Sequence, residues 1–201
     1  MKTSLVTLAV LLAGAAPAHA AVTLSSGHAD YGARIIGGKL QAQVKDATRG
    51  GRTVWRDPSD VVVSLNSKAR YTLPRANFLG RKGTRVWMIP QTQKSGVIWL
   101  GWNTEELKTS QLRTGLTWTL ERVSGPGRVA VFTTGSFGDA NVLFDSNRSR
   151  PGTRTIPLGV HAHANWSFSR AGTYKLRFKS SATSRSGKSL SDTATLTVRV
   201  S

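Results

Sequence analysis

The run Tyr174-Lys175-Leu176-Arg177-Phe178-Lys179 alternates large apolar and cationic side chains without a break. Only an extended strand, whose side chains point to opposite faces in turn, sorts such a pattern cleanly. Tyr174, Leu176 and Phe178 then form an inner face, and Lys175, Arg177 and Lys179 an outer one. Ala194, Leu196, Val198 and Val200 repeat the period near the C-terminus. The two segments are expected to pair, with the serine-rich stretch 180–192 as a long hairpin loop. Further strands are expected over 39–44, 61–65, 85–89, 97–100, 116–123, 129–133 and 142–144, separated by turn formers such as Gly37-Gly38 and Gly125-Pro126-Gly127. So many short strands with no alternating helices predict an all-β chain, an immunoglobulin-like antiparallel β-sandwich. One short helix is expected over 103–112, where Asn103 followed by Glu106 has the form of a capping box.

Residues 1–20 read as an export signal. Lys2 supplies the positive start, 5–16 is apolar, and Ala18-His19-Ala20 is a small-residue cleavage site. Cleavage after Ala20 leaves a mature chain, 21–201, that is expected to be one domain, secreted or held in the periplasm or at the cell surface. Its apolar runs are too short for a transmembrane segment. With no cysteine in the sequence, disulfides, thiolate chemistry and a lipid-modified cysteine are excluded, so stability must come from a core. The net charge is +18, and one less without Lys2. A field of that size favours acidic polymers, anionic lipid or nucleic acid. The basic residues are spread along the chain with no concentrated arm, which argues against a dedicated, specific nucleic-acid binder.

Three of the four histidines lie beyond the signal, in two small clusters: His28-Ala29-Asp30 and His161-Ala162-His163-Ala164-Asn165-Trp166. On a strand His161 and His163 share a face with about 7 Å between their Cα atoms, and so do His28 and Asp30. In the second cluster Ala162, Ala164, Trp166 and Phe168 fall on the apolar face. The histidines therefore point outward, free to meet a ligand. If the fold brings the clusters together, three imidazoles and a carboxylate can hold zinc or another divalent transition metal. Two other uses of these side chains are open: hydrogen bonds to loop backbone with no ion, and direct recognition of an organic or anionic ligand. Asn165 and Asp145 are candidates for supporting the ligands from behind.

A second candidate surface is the strip formed by Lys175, Arg177 and Lys179, extended by Arg199 if the last strands pair, which suits acidic envelope polymers or glycans. The same strip also reads as a solvated face that protects a sheet edge. Trp99 and Trp102 should lie on opposite faces of one strand, so one ring is available for carbohydrate stacking. Catalysis is not expected. Glu105, Glu106 and Glu121 are the only glutamates, no paired carboxylates resemble a glycosidase dyad, and there is no HExxH, nucleophile elbow or complete P-loop, which would need glycine where Ala182 stands.

Taken in order, Ser26-Gly27-His28-Ala29-Asp30, Asp57-Pro58-Ser59-Asp60-Val61-Val62, Val86-Trp87-Met88-Ile89-Pro90-Gln91, Trp99-Leu100-Gly101-Trp102-Asn103 and His161-Ala162-His163-Ala164-Asn165-Trp166-Ser167-Phe168 resemble the choice-of-anchor M domain of actinobacterial surface-anchored proteins. The resemblance covers almost all of 21–201. It implies an exported cell-surface β-sandwich, sometimes linked to ABC transporter components of the metal-uptake type, and it carries the family's histidine elements onto His28, Asp30, His161 and His163. Gln41-Ala42-Gln43 stands where some relatives have a further histidine pair, and no hydrophobic tail follows the final expected strand.

Overall fold

A computed structural model describes residues 20–201; the export signal expected at 1–20 falls, but for Ala20, outside them. Among the described residues sixteen strands, numbered in chain order, form three sheets. The first runs β1 (Val22–Leu24), β5 (Val61–Leu65), β16 (Ser189–Val200), β15 (Gly172–Thr183), β9 (Leu116–Ser124) and β12 (Thr153–Ile156). A second runs β11 (Ala140–Asp145), β10 (Val129–Thr134), β14 (Asn165–Phe168), β7 (Arg85–Ile89) and β6 (Arg70–Thr72). The third runs β13 (His161–His163), β8 (Ile98–Asn103), β2 (Gly27–Ile36), β3 (Lys39–Asp46) and β4 (Val54–Arg56).

The chain is an all-β sandwich, and one core joins its layers. Tyr174, Leu176 and Phe178 are fully buried, as alternation requires, and pack with Ala29 and Tyr31 of β2 and Trp166 and Phe168 of β14. Trp118 of β9 is the pivot. Its ring stacks on Tyr31 at 5.2 Å and lies 6.1 Å from Trp166, so side chains from all three sheets meet around it. Burying such rings, at roughly 25 cal/mol per Å² of apolar surface, supplies the stability that a cysteine-free chain cannot draw from cross-links. Most pairings are antiparallel, but β1 with β5, β5 with β16, and β2 with β8 are parallel.

β15 and β16 pair along their whole length, and the hairpin loop is shorter than the sequence implied. The strands continue through the serine-rich residues, from Ser180 opposite Asp192 to Thr183 opposite Ser189, because period-two burial persists there: Ser180, Ala182 and Leu190 are buried. The helix expected over 103–112 is absent, and turns follow β8 instead. Asn103 does cap, but locally: its Oδ1 accepts from the Glu105 backbone N–H at 3.0 Å, and its Nδ2 donates to Glu105 Oε2 at 2.6 Å. That two-residue turn uses the groups a helix start would need. The described residues contain only two short 3-10 turns, Pro58–Asp60 and Ser67–Ala69. No helix among them is long and apolar enough to cross a membrane.

Candidate metal centre

The histidine segment is not one continuous strand. His161–His163 forms the edge of the third sheet as β13, the ladder breaks at Ala164, and Asn165–Phe168 joins the second sheet as β14. The break lets Ala164, Trp166 and Phe168 sink into the core while His161 and His163 stay on the outer face of the third sheet. On that face β8 lies between the two histidine-bearing strands. It pairs parallel with β2, placing His28 beside Trp99 and Asp30 beside Gly101, and antiparallel with β13, placing His163 beside Gly101 and His161 beside Asn103. His163, Gly101 and Asp30 therefore form one row across three strands.

The four side chains proposed from sequence come together. Nε2 of His28 lies 3.2 Å from Nε2 of His161, which lies 3.1 Å from Nε2 of His163. Asp30 Oδ1 is 3.2 Å from His28 Nε2 and 3.1 Å from His161 Nε2. One ligand atom from each residue falls within 4.8 Å of all the others. Zinc bound by nitrogen and oxygen at 2.0–2.1 Å in a tetrahedron separates its ligands by about 3.3 Å. Four of the six edges lie near that spacing and none exceeds 4.8 Å, so the cluster can hold a metal ion.

Hydrogen bonding alone satisfies this arrangement poorly. His161 Nε2 faces three electronegative atoms, yet a ring nitrogen carries one hydrogen or one lone pair. Asp30 is fully buried, and its Oδ2 has no hydrogen-bond partner. Burial pushes the Asp30 carboxyl up from its usual range, with His28, His161 and Lys45 pulling it back. The His163 imidazole is pushed down to about 4 by burial first and then by His161 and His28. It is therefore neutral near pH 7, the form that binds metal. The Leu100 carbonyl acts on this ring in the opposite sense without reaching full hydrogen-bond geometry at the buried Nδ1.

Two residues that shape the centre were not singled out as part of it from sequence. Trp99 stacks on His163 with ring centroids 3.7 Å apart and planes 8° from parallel, while its Nε1 donates to the Gln91 carbonyl at 2.9 Å. It is the site-facing ring; Trp102 sits on the opposite face, packed toward Trp118. Gly101 is the other. A Cβ there would stand 2.5 Å from Asp30 Oδ1 and 2.9 Å from His163 Cε1. Glycine inside the strand Ile98–Asn103 was the available signal, since an interior glycine often marks a close approach.

The supporting roles expected of Asn165 and Asp145 are not found. Asn165 accepts from the Gln91 N–H and donates to Thr134 Oγ1, because the break at Ala164 carries it into the second sheet. Asp145 is taken by Arg128, at 2.8 and 2.5 Å. The polar groups that do flank the centre are Lys45, opposite Asp30 on β3, and Glu105, which accepts from Lys45 Nζ at 3.1 Å and lies within electrostatic range of His161. The chain distance from Glu105 to either histidine cluster hid this proximity.

The fold and site define an all-β sandwich with a His/Asp centre on an outer sheet face. Comparison with family models, curated proteins and solved structures finds no match.

Proposed function

We propose that this protein is an exported, non-catalytic module that binds one divalent transition metal ion, zinc foremost, through His28, Asp30, His161 and His163. The observation that carries the reading is the convergence of three imidazoles and one carboxylate, with one ligand atom from each within 4.8 Å of the others and four of the six separations at 3.1–3.2 Å. Four protein donors fill a tetrahedral shell, which is the make-up of zinc sites that hold rather than hydrolyse. The side chains of His28 and His161 keep 26% and 33% of their surface open, so an ion can enter and leave from solvent. That access fits a carrier that exchanges metal with uptake components of the ABC type, the partner class implied by the choice-of-anchor M resemblance. Export rests on the character of residues 1–20.

Native mass spectrometry of the chain 21–201 tests the reading. The protein incubated with zinc is expected to retain one ion, to lose it to a chelator, and to bind none as His161→Ala/His163→Ala. A zinc-incubated wild-type protein with no bound ion would leave the cluster as a hydrogen-bonded structural feature and end the metal reading.

A further inference from the structure

The outer face of the six-stranded sheet is a second surface with its own chemistry. Lys175, Arg177 and Lys179 stand exposed along β15. This strand is central, with β16 on one side and β9 on the other, so the cations do not guard a sheet edge, where such residues normally prevent aggregation. Their neighbours are hydroxyls: Lys175 lies between Thr197 and Ser124, and Lys179 between Thr193 and Thr119. Arg177 lies between Thr195 and Arg122, and Arg199 on β16 extends the charge beside Thr173. The one carboxylate against this column, Glu121, meets Arg177 Nε at 3.1 Å in a largely exposed pair, a contact worth little.

We propose that this face binds a linear polyol phosphodiester laid along β15, with successive phosphates on Lys175, Arg177 and Lys179 and the polyol hydroxyls on the flanking threonines. Alternate residues of a strand are separated by six backbone bonds and about 7 Å. A three-carbon polyol joined by phosphodiesters also repeats every six bonds, so its charges keep step with the cations. A single-stranded nucleic acid has the same backbone repeat, but its affinity for such grooves draws on aromatic platforms. Here the aromatic side chains of the sheet, Trp118, Tyr174 and Phe178, all point into the core. A face built of paired strands also offers no helix or protruding ribbon to enter the groove of a duplex.

The test uses the chain 21–201 and an end-labelled poly(glycerol phosphate), read by fluorescence anisotropy. Three or four phosphate contacts should make affinity fall by about 20- to 50-fold between 50 and 200 mM salt. Lys175→Gln/Arg177→Gln/Lys179→Gln should weaken binding by about tenfold or more and flatten the salt dependence. Arg52→Gln/Arg81→Gln/Lys82→Gln, which removes the same charge from exposed loops, should leave affinity within about threefold. Lys175→Arg/Lys179→Arg should retain binding, which separates lost charge from a disturbed sheet, and His161→Ala/His163→Ala should leave it unchanged, which separates this face from the metal centre. Equal losses in the two neutralised triples would reduce the effect to net charge and overturn the proposal. So would tighter binding of a single-stranded oligonucleotide carrying the same number of phosphates.

Discussion

Gly101 and Asp30 are paired neighbours on β8 and β2 with no room between them for a methyl group: a Cβ on Gly101 would stand 2.5 Å from Asp30 Oδ1 and 2.6 Å from the Ala162 carbonyl. The absent side chain is what allows a carboxylate on one side of β8 and an imidazole on the other to meet above it. Gly101→Ala is therefore expected to push Asp30 or β13 aside. Overpacking of this kind costs about 1–3 kcal/mol of stability, and displaced ligands should weaken zinc binding by about 10- to 100-fold. Calorimetric titration with zinc checks it; unchanged affinity would mean that the close approach does not set the ligand geometry.

β13 is three residues long and hydrogen-bonds to β8 alone in its sheet. An ion shared by His161, His163, His28 and Asp30 would tie this edge to β2, two strands away. At a free zinc concentration 100 times Kd the bound state gains about 2.7 kcal/mol, which raises Tm by roughly 5–10 °C for a chain of this size. Scanning calorimetry with zinc and with chelator should show that difference in the wild type and lose it in His161→Ala/His163→Ala. A wild-type Tm indifferent to chelator would count against binding to the folded state.

The alternation that sets β15 and the far end of β16 is local, so both strands are legible residue by residue. The two i, i+2 pairs of the centre are legible for the same reason: a strand presents alternate side chains together. Their convergence is not, because it depends on β8 pairing with β2 in one direction and with β13 in the other, and neither register leaves a trace in nearby sequence. Asn103 shows a different limit. Its side-chain oxygen accepts a backbone hydrogen in a tight turn much as it would at a helix start, so the local signal is shared and the longer-range contacts decide. The cation strip was legible as one face of a strand, but whether that strand lay at an edge or in the middle was not.

Trp99 covers His163 face to face and lies 5.3 Å from the His28 ring. It is therefore the tryptophan placed to report on the centre. Copper(II), which shares zinc's affinity for imidazole and exceeds it in strength, is expected to quench fluorescence on binding. Trp99→Phe should remove most of that response while keeping a ring against His163. Trp102→Phe, on the opposite face of β8, should preserve it. Equal quenching in Trp99→Phe and the wild type would place the bound ion elsewhere.

Asp145, away from the centre, should contribute to acid stability. Burial would raise this carboxyl, but hydrogen bonds from Arg128 and the Asn147 backbone, with the charges of Arg128 and Arg148, hold it below the usual carboxylate range. Arg128 is fixed in turn by the Phe78 carbonyl, to which its Nη1 donates at 2.7 Å. A carboxyl whose pKa is lower folded than unfolded adds stability that is complete above the unfolded value, about 3.9, and is lost as pH falls through the folded one. Asp145→Asn leaves the half-buried Arg128 guanidinium without its carboxylate and should cost about 1.5–3 kcal/mol near neutral pH. As pH falls below the unfolded value and on through the lower folded one, the wild-type carboxyl takes up its proton and forfeits the same interaction, so the gap between the two proteins should narrow. Urea denaturation at pH 7 and at successive acid steps measures this directly, and a gap that stays constant with pH would assign the stability to packing rather than to the ion pair.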